Sequence, residues 1–406
     1  MNSVDEKEDA IIEILGGKKI TCRARRLVAK SLWAERISFV DAMDYKLFVH
    51  SSAFRRNWGG VFTIILTVHG DNIKYFQKAI ESVLIQTIGN IELILVDHGC
   101  QSGLRNLIYE YFKSDSRIKL IKFENNLCDW KVQNLVYDAV FNVINTALFC
   151  SEGDFFFFLS FDDFLSENYV EAMLRLFVEN PDCVVASPAV VSINEFSDVN
   201  SKRTKDLLCS NKRNTYVSGI SLATSVIQGG DNFAAPGGLF SYRTDLVLNN
   251  GGLDCMNDLS QVFKFAVLGS VGTNFNATLF WRHHDTQTNK LNAKSGALYY
   301  RVHTDWLTHI RDIYSSHSIP LAYQKDFFRY MEWKVKKDML FNIQTSIRSG
   351  LFGSVKIIGS ILNEAPKYYL LYFIASFMKN LPYVIYSCLP QIFKDWYRYY
   401  RDLLLK

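Results

Sequence analysis

The chain has 406 residues, long enough for two or three domains of ordinary size, and its 49% hydrophobic and 14% aromatic content supplies a large core and marks it as globular. Its 45 Lys and Arg against 41 Asp and Glu leave a formal net charge of +4, too balanced for the chain as a whole to be built for nucleic-acid binding. No run reaches the roughly 18 uninterrupted apolar residues of a spanning helix, and the acidic opening MNSVDEKEDA lacks the basic and apolar regions of a secretory leader. Eight cysteines (Cys22, Cys100, Cys128, Cys150, Cys183, Cys209, Cys255 and Cys388) lie far apart with no CxxC pair, and read as reduced core thiols of a cytoplasmic protein.

In chain order, residues 1–58 are helix-like and carry a basic knot (Lys18, Lys19, Arg23, Arg25, Arg26, Lys30) without evident chemistry. From Val61 short apolar runs alternate with helical periods: VFTIILTV, IKYFQKAIESVLIQ, IELILV, a helix near 103–113, RIKLIKF, a helix near 131–146, and DFFFFLS. In the first helix Phe76, Ala79, Ile80 and Val83 recur at helical spacing, while the strands are nearly continuous apolar runs, the pattern of strands covered on both faces. The series is β-α-β-α-β-α-β, so a largely parallel sheet in an α/β domain is expected over 59–298. Ligands of such sheets collect at the carboxyl ends of the strands, and Asp97, Asp162 and Asp163 fall there. FFFFLSFDDFL therefore runs a buried strand into paired carboxylates at a ligand-binding edge, where their charge finds a partner.

These strand ends resemble the family-2 inverting glycosyltransferases of the GT-A fold, bacterial surface-polysaccharide type. FTIILTVHGDN stands where the family opens with a Pro-Thr-Tyr-Asn-like turn, and ESVLIQT reproduces its Ser-Val-x-x-Gln signature through Ser82, Val83 and Gln86. VDHGCQSG replaces Asp-Asp/Asn-Gly-Ser, and LSFDDF replaces Leu-Asp-x-Asp-Asp. GGLFSYRTDLVLNNGGLD, MNDLSQVFKFAVLG and FWRHHDTQT follow in the family's order, so the likeness spans roughly 61–290.

The resemblance implies a nucleotide-sugar donor, with Thr67, His69, Asp97, Asp163 and Arg282 as donor-binding residues. It implies a divalent metal, Mn or Mg, held by Asp162 and His284; one or two carboxylates plus phosphate oxygens suit such an ion, and the imidazole favours Mn. Ser160 replaces the first Asp of the metal motif. An ionised Asp97 would accept the ring N–H of uracil or thymine, favouring a UDP-linked donor, or it is a turn-capping aspartate. His284 and His283 are otherwise ordinary hydrogen-bonded histidines. Inverting transfer needs one base for the acceptor hydroxyl. Asp258 takes that role, at the start of the helix LSQVFKFAVLG with Val262, Phe263, Ala266 and Val267 on its buried face; its other reading is a helix cap. Asn257 stands where the family has Glu, and the glycines of QGGDNFAAPGG either approach the sugar or form a plain loop.

Beyond about residue 299 the pattern turns helical, and 351–406 carries seven Lys and Arg against three acids among apolar stretches broken by Lys379, Pro382 and Pro390. Two readings stand: amphipathic helices lying in a membrane surface on the inner face of the cytoplasmic membrane, or a helical region packed on the catalytic domain or a second subunit. The implied activity is hexosyl transfer to a saccharide or lipid-linked oligosaccharide acceptor, with no nucleic-acid partner. The alternatives are a catalytically inactive scaffold of the same fold, suggested by Ser160 and Asn257, and a sugar-phosphate nucleotidyltransferase, for which TVHGDN is a poor phosphate loop.

Overall fold

The structure is a computed structural model, and it describes residues 61–123, 136–200, 215–229, 240–253, 258–284 and 298–334, together with the backbone of 45–48. After β1 (Tyr45–Phe48) come β2 (Phe62–Val68), α1 (Ile73–Leu84), β3 (Ile91–His98), α2 (Ser102–Ser114), β4 (Ile118–Phe123), α3 (Val136–Cys150) and β5 (Phe155–Ser160). Strands β4, β3, β2 and β5 lie side by side in that order, all parallel. Their runs are continuous because helices cover both faces: Ile64, Ile65 and Leu66 of β2 and Leu93 to Val96 of β3 are all fully buried. Helix α1 begins where the Asn72 side chain accepts the Tyr75 N–H at 3.1 Å, and it buries Phe76, Ala79, Ile80 and Val83 along one stripe.

The chain continues through β6 (Phe164–Leu165), α4 (Tyr169–Glu179), β7 (Cys183–Ile193), β8 (Thr215–Ser218), α5 (Gly219–Ile227), β9 (Ser241–Arg243), α6 (Thr244–Asn249), α7 (Asp258–Lys264), β10 (Ser270–Arg282) and α8 (Leu298–Ser316). Strand β9 runs antiparallel to both β5 and β7 and joins the parallel half to the rest; β10 is parallel to β7 and antiparallel to β6 and β8. The sheet is thus largely parallel at its centre with antiparallel additions. The expected helix after Asp258 ends earlier than its apolar pattern suggested: α7 stops at Lys264 and a 3₁₀ turn, Ala266–Leu268, follows, with Val262, Phe263, Ala266 and Val267 all buried as anticipated.

Two expectations need correction. Residues 45–48, expected within a helical N-terminal extension, form β1, antiparallel to β4 with Tyr45 opposite Phe123. An open sheet edge offers unpaired backbone groups, and YKLF, rich in strand-favouring residues, takes them. The cysteines are not all reduced: Cys150 is disulfide-bonded, while Cys100 and Cys183 are free and buried. The remainder of the basic N-terminal region, the QGGDNFAAPGG stretch from residue 230, and the whole tail 351–406 lie outside the described residues. Among the described residues no helix is long and apolar enough to cross a membrane. The chain divides into two compact units, 1–285 with 309–324 and 286–308 with 325–406.

Candidate active site

The strand order reverses direction between β2 and β5, which puts a crevice outside their carboxyl ends, with β3 alongside. Thr67 on β2 is in register with Ser160 on β5 and Val96 on β3. Thr67 is half-buried and Ser160 exposed, so two hydroxyls line this edge where the sequence pattern would have put a carboxylate at 160. Beyond these strand ends lie His69 and the Phe161–Asp162–Asp163 loop.

The two aspartates play different parts. Asp163 is buried and its Oδ1 accepts the backbone N–H of Arg282 at 2.8 Å, so it pins β10 to the loop. Burial, reinforced by the Asp162 charge and opposed by Arg282, pushes its carboxyl well above the usual range. Asp162 instead keeps 16% of its side-chain surface exposed at the strand-end edge: its Oδ2 lies 2.9 Å from His284 Nε2, whose side chain is 14% exposed. The Arg282 guanidinium is not spread toward the crevice as a donor-binding group would be. Its Nε donates to the Asp162 carbonyl at 2.8 Å, its Nη1 to the carbonyls of Asn194 and Glu195 and to Ser197 Oγ at 3.0 Å each, and its plane lies 4.4 Å over the Tyr75 ring. The structure therefore brings Asp162, Asp163, Arg282 and His284 together, with Arg282 serving the backbone of the loop.

Asp97, at the end of β3, is 1% exposed. Its Oδ1 accepts the Cys100 N–H at 2.8 Å, the geometry of a turn cap, and its Oδ2 is paired with Arg105 Nε at 2.7 Å. Cys100 also donates its thiol to the Val68 carbonyl at 3.2 Å, which ties β3's turn to the end of β2. A carboxylate keeps lone pairs beyond these two bonds. His69 packs edge-on against Phe161 at 4.7 Å, and burial pushes its imidazole below the ordinary value against the pull of Asp162. His98 is buried next to it, and burial, then His69, press its pKa to about 3, so it stays neutral.

The Ser-Val-x-x-Gln signature proves to be a clamp on the segment that follows the aspartates. Ser82 Oγ accepts the Leu165 N–H at 3.1 Å, Gln86 Nε2 donates to the Ser166 carbonyl at 2.7 Å, and Gln86 Oε1 accepts the Val170 N–H at 2.8 Å. Gln86→Ala would strand the buried Val170 N–H, while the Ser166 carbonyl keeps the Tyr169 N–H at 3.0 Å, an expected loss of about 1–3 kcal/mol. It should appear as a lower urea midpoint with an unchanged slope; an unmoved midpoint would mean that the clamp adds nothing.

A second anchor fixes the turn at 251–253 and ties it to Lys264 of α7. Gly251 and Gly252 both adopt φ of 82°, the left-handed region open to glycine, and a Cβ on Gly252 would meet Asn145 Oδ1 at 2.7 Å. Asn145 reads both backbone groups of Leu253 at 2.8 and 2.9 Å, and buried Lys264 donates to the Gly252 carbonyl at 2.7 Å. From this turn the chain reaches Asp258, the first residue of α7.

Sequence reasoning missed Arg105, Cys100 and Tyr75. Tyr75 could have been noticed as the aromatic on the first turn of α1 that does not belong to its buried stripe; Arg105 gave no signal beyond a basic residue on a helix. Among the described residues no cluster of three or more His, Cys, Asp or Glu is placed to hold a metal. The pair Asp162 and His284, one carboxylate and one imidazole at contact distance, fits an ion that draws the rest of its shell from a diphosphate.

Residues 63–247 match the family model "Glycosyl transferase family 2". EpsH of Bacillus subtilis is 29% identical over 133 residues, 33% of this chain and 34% of that protein. The minor teichoic acid biosynthesis protein GgaB of Bacillus subtilis is 34% identical over 131 residues, 31% of this chain and 13% of GgaB. The matched segment thus spans about a third or less of these relatives. S. aureus TarS 1–349, solved in complex with UDP-GlcNAc, aligns over 80% of this chain and 81% of its own at 13% identity and a TM-score of 0.47, a likeness from which nothing is carried over. With the family's motifs at the carboxyl edge of a central parallel sheet, residues 63–247, a little under half of the chain, are similar to glycosyl transferase family 2.

Proposed function

We propose that this chain is an inverting hexosyltransferase that moves a sugar from a UDP-linked donor to a saccharide acceptor in surface-polysaccharide or glycolipid assembly, its chemistry confined to residues 59–298. The observation that carries the reading is the Asp162–His284 pair beyond the ends of β2 and β5, with Asp162 inside the segment that matches the family-2 model and His284 on the chain beyond it. In this reading Asp162 and His284 hold a divalent metal, Mn or Mg, which when bound offsets the charge of the departing diphosphate. Thr67 and His69 flank the base at the end of β2, and Asp97, held still by Cys100 and Arg105, accepts the uracil ring N–H. Asp163 and Arg282 serve donor binding by fixing the loop that carries Asp162. Asp258, at the N-terminus of α7, takes the proton of the acceptor hydroxyl as the anomeric carbon inverts. The tail 351–406 is proposed to lie on the inner face of the cytoplasmic membrane, with packing against a second subunit as its alternative.

Thermal unfolding with a panel of nucleotide sugars, with and without Mn, tests the donor. A ligand that binds only the folded state at a hundred times its Kd raises stability by about 2.7 kcal/mol. A UDP-sugar with Mn is expected to give the largest shift and slow release of UDP. No shift with any nucleotide sugar would sink the reading. Stabilisation without UDP release, even with added acceptor, would favour an inactive scaffold, to which the hydroxyl of Ser160 in place of a carboxylate points.

A further inference from the structure

Strand β7 leaves the sheet at Ile193 and turns back through residues 194–200, and this turn is held more firmly than a surface connection requires. Asn194 Oδ1 accepts the N–H groups of Phe196 and Asp198 at 2.9 and 2.8 Å, and Asn194 Nδ2 donates to Asp198 Oδ2 at 3.0 Å. Backbone bonds run from Ser197 N to the Asn194 carbonyl and from Asn194 N to the Asp198 carbonyl. Ser197 sits at φ of 73°, a left-handed conformation that side-chain-bearing residues keep only where their surroundings impose it. From the inner side Arg282 Nη1 grips the carbonyls of Asn194 and Glu195 and the Ser197 hydroxyl while its Nε holds the Asp162 carbonyl. One guanidinium thus fixes both the loop of the proposed metal-holding carboxylate and this turn.

What the rigid turn holds outward is an aromatic ring. Phe196 is 77% exposed and Val199 55% exposed, with Glu195, Asp198 and Asn200 exposed around them. A ring so placed adds almost nothing to the core, and it stands on the turn that shares the Arg282 guanidinium with the Asp162 carbonyl.

We propose that Phe196 is the stacking platform for a sugar ring of the acceptor, and that the acceptor segment it takes is a neutral, polyhydroxylated saccharide. One face of a pyranose presents C–H groups, which suit the negative face of an aromatic ring, and a side chain with two rotatable bonds loses little freedom on contact. Glu195, Asp198 and Asn200 surround the ring with acceptors for sugar hydroxyls. The two carboxylates oppose a polyanionic partner such as a phosphate-linked polymer. This inference rests on the glycosyl-transfer reading, because that reading makes a second saccharide a partner of this chain.

The full chain is titrated with neutral tetraoses of glucose, galactose and N-acetylglucosamine, and with polyglycerol phosphate as the anionic comparison, each followed by saturation-transfer NMR. At least one neutral tetraose is expected to bind. Phe196→Ala should weaken it roughly tenfold, Phe196→Trp should retain it, and the thermal midpoint should not move in either variant. Binding unchanged in Phe196→Ala, binding of none of the neutral tetraoses, or Phe196-dependent binding of polyglycerol phosphate instead would each overturn the proposal. The same panel of nucleotide sugars titrated into the same samples reads the donor site. Loss of donor binding by the parent protein strikes the glycosyl-transfer reading, whereas intact donor binding with saccharide binding indifferent to Phe196 strikes only the platform.

Discussion

Asp162→Ala is expected to lower release of UDP from a UDP-sugar in Mn on the order of a thousandfold, the factor that several kcal/mol of lost charge stabilisation on the leaving diphosphate corresponds to. The fold should persist at a modest cost. Asp162 and His284 keep only 16% and 14% of their side-chain surface exposed, and loss of a hydrogen bond to a charged group costs about 1.5–3 kcal/mol. Its carbonyl, the group that Arg282 uses, survives the substitution. The measurement pairs initial rates across a Mn titration with thermal midpoints of both proteins. Turnover at the parent rate, or full parent activity in chelator, would remove the metal-dependent mechanism. A variant that fails to fold would instead show that the Asp162–His284 contact is structural, and the two results are told apart by the midpoint.

Asp258→Asn carries the second large effect. Asparagine matches aspartate in size and is an equally good residue at a helix start, so α7 should form unchanged. It cannot take a proton, and loss of a general base typically lowers rate by roughly a hundred- to ten-thousandfold. Donor affinity, read by titration with a UDP-sugar, should change little, because the lost group acts on the acceptor hydroxyl. Normal transfer by this variant, or a rate that falls only in step with donor affinity, would reduce Asp258 to a cap.

The parallel half of the sheet was legible because burial on both faces writes itself as uninterrupted apolar runs, and VFTIILTV, IELILV and FFFFLS each became the strand expected. The second half was not. β9 is three residues long and β6 two, too short to carry any periodicity, and β1 exists through backbone pairing to an edge rather than through a pattern of its own. In the site, the residue types at strand ends told where the crevice lies. They did not tell Asp162 from Asp163, since only the fold decides that one stays partly exposed beside His284 and the other is sealed against the Arg282 N–H. Nor could spacing reveal that Arg282 is engaged by carbonyls at 194 and 195, because a hydrogen bond to backbone places no demand on the identity of the residue that accepts it.

The Arg282 grip also has a kinetic side. It joins Asp162 to a residue 120 positions later, and His284 reaches the same carboxylate across 122 positions. Contacts of such separation close large loops and form late, after local helices and neighbouring strands have paired. As the chain leaves the ribosome, β2 to β5 can assemble while β10 has yet to be made. In that interval the carboxylate of Asp162 has no histidine, the 194–200 turn has no guanidinium, and Asp163 has no N–H to accept. The arrangement of Asp162, His284 and Arg282 is therefore complete only when the last strand of the sheet docks.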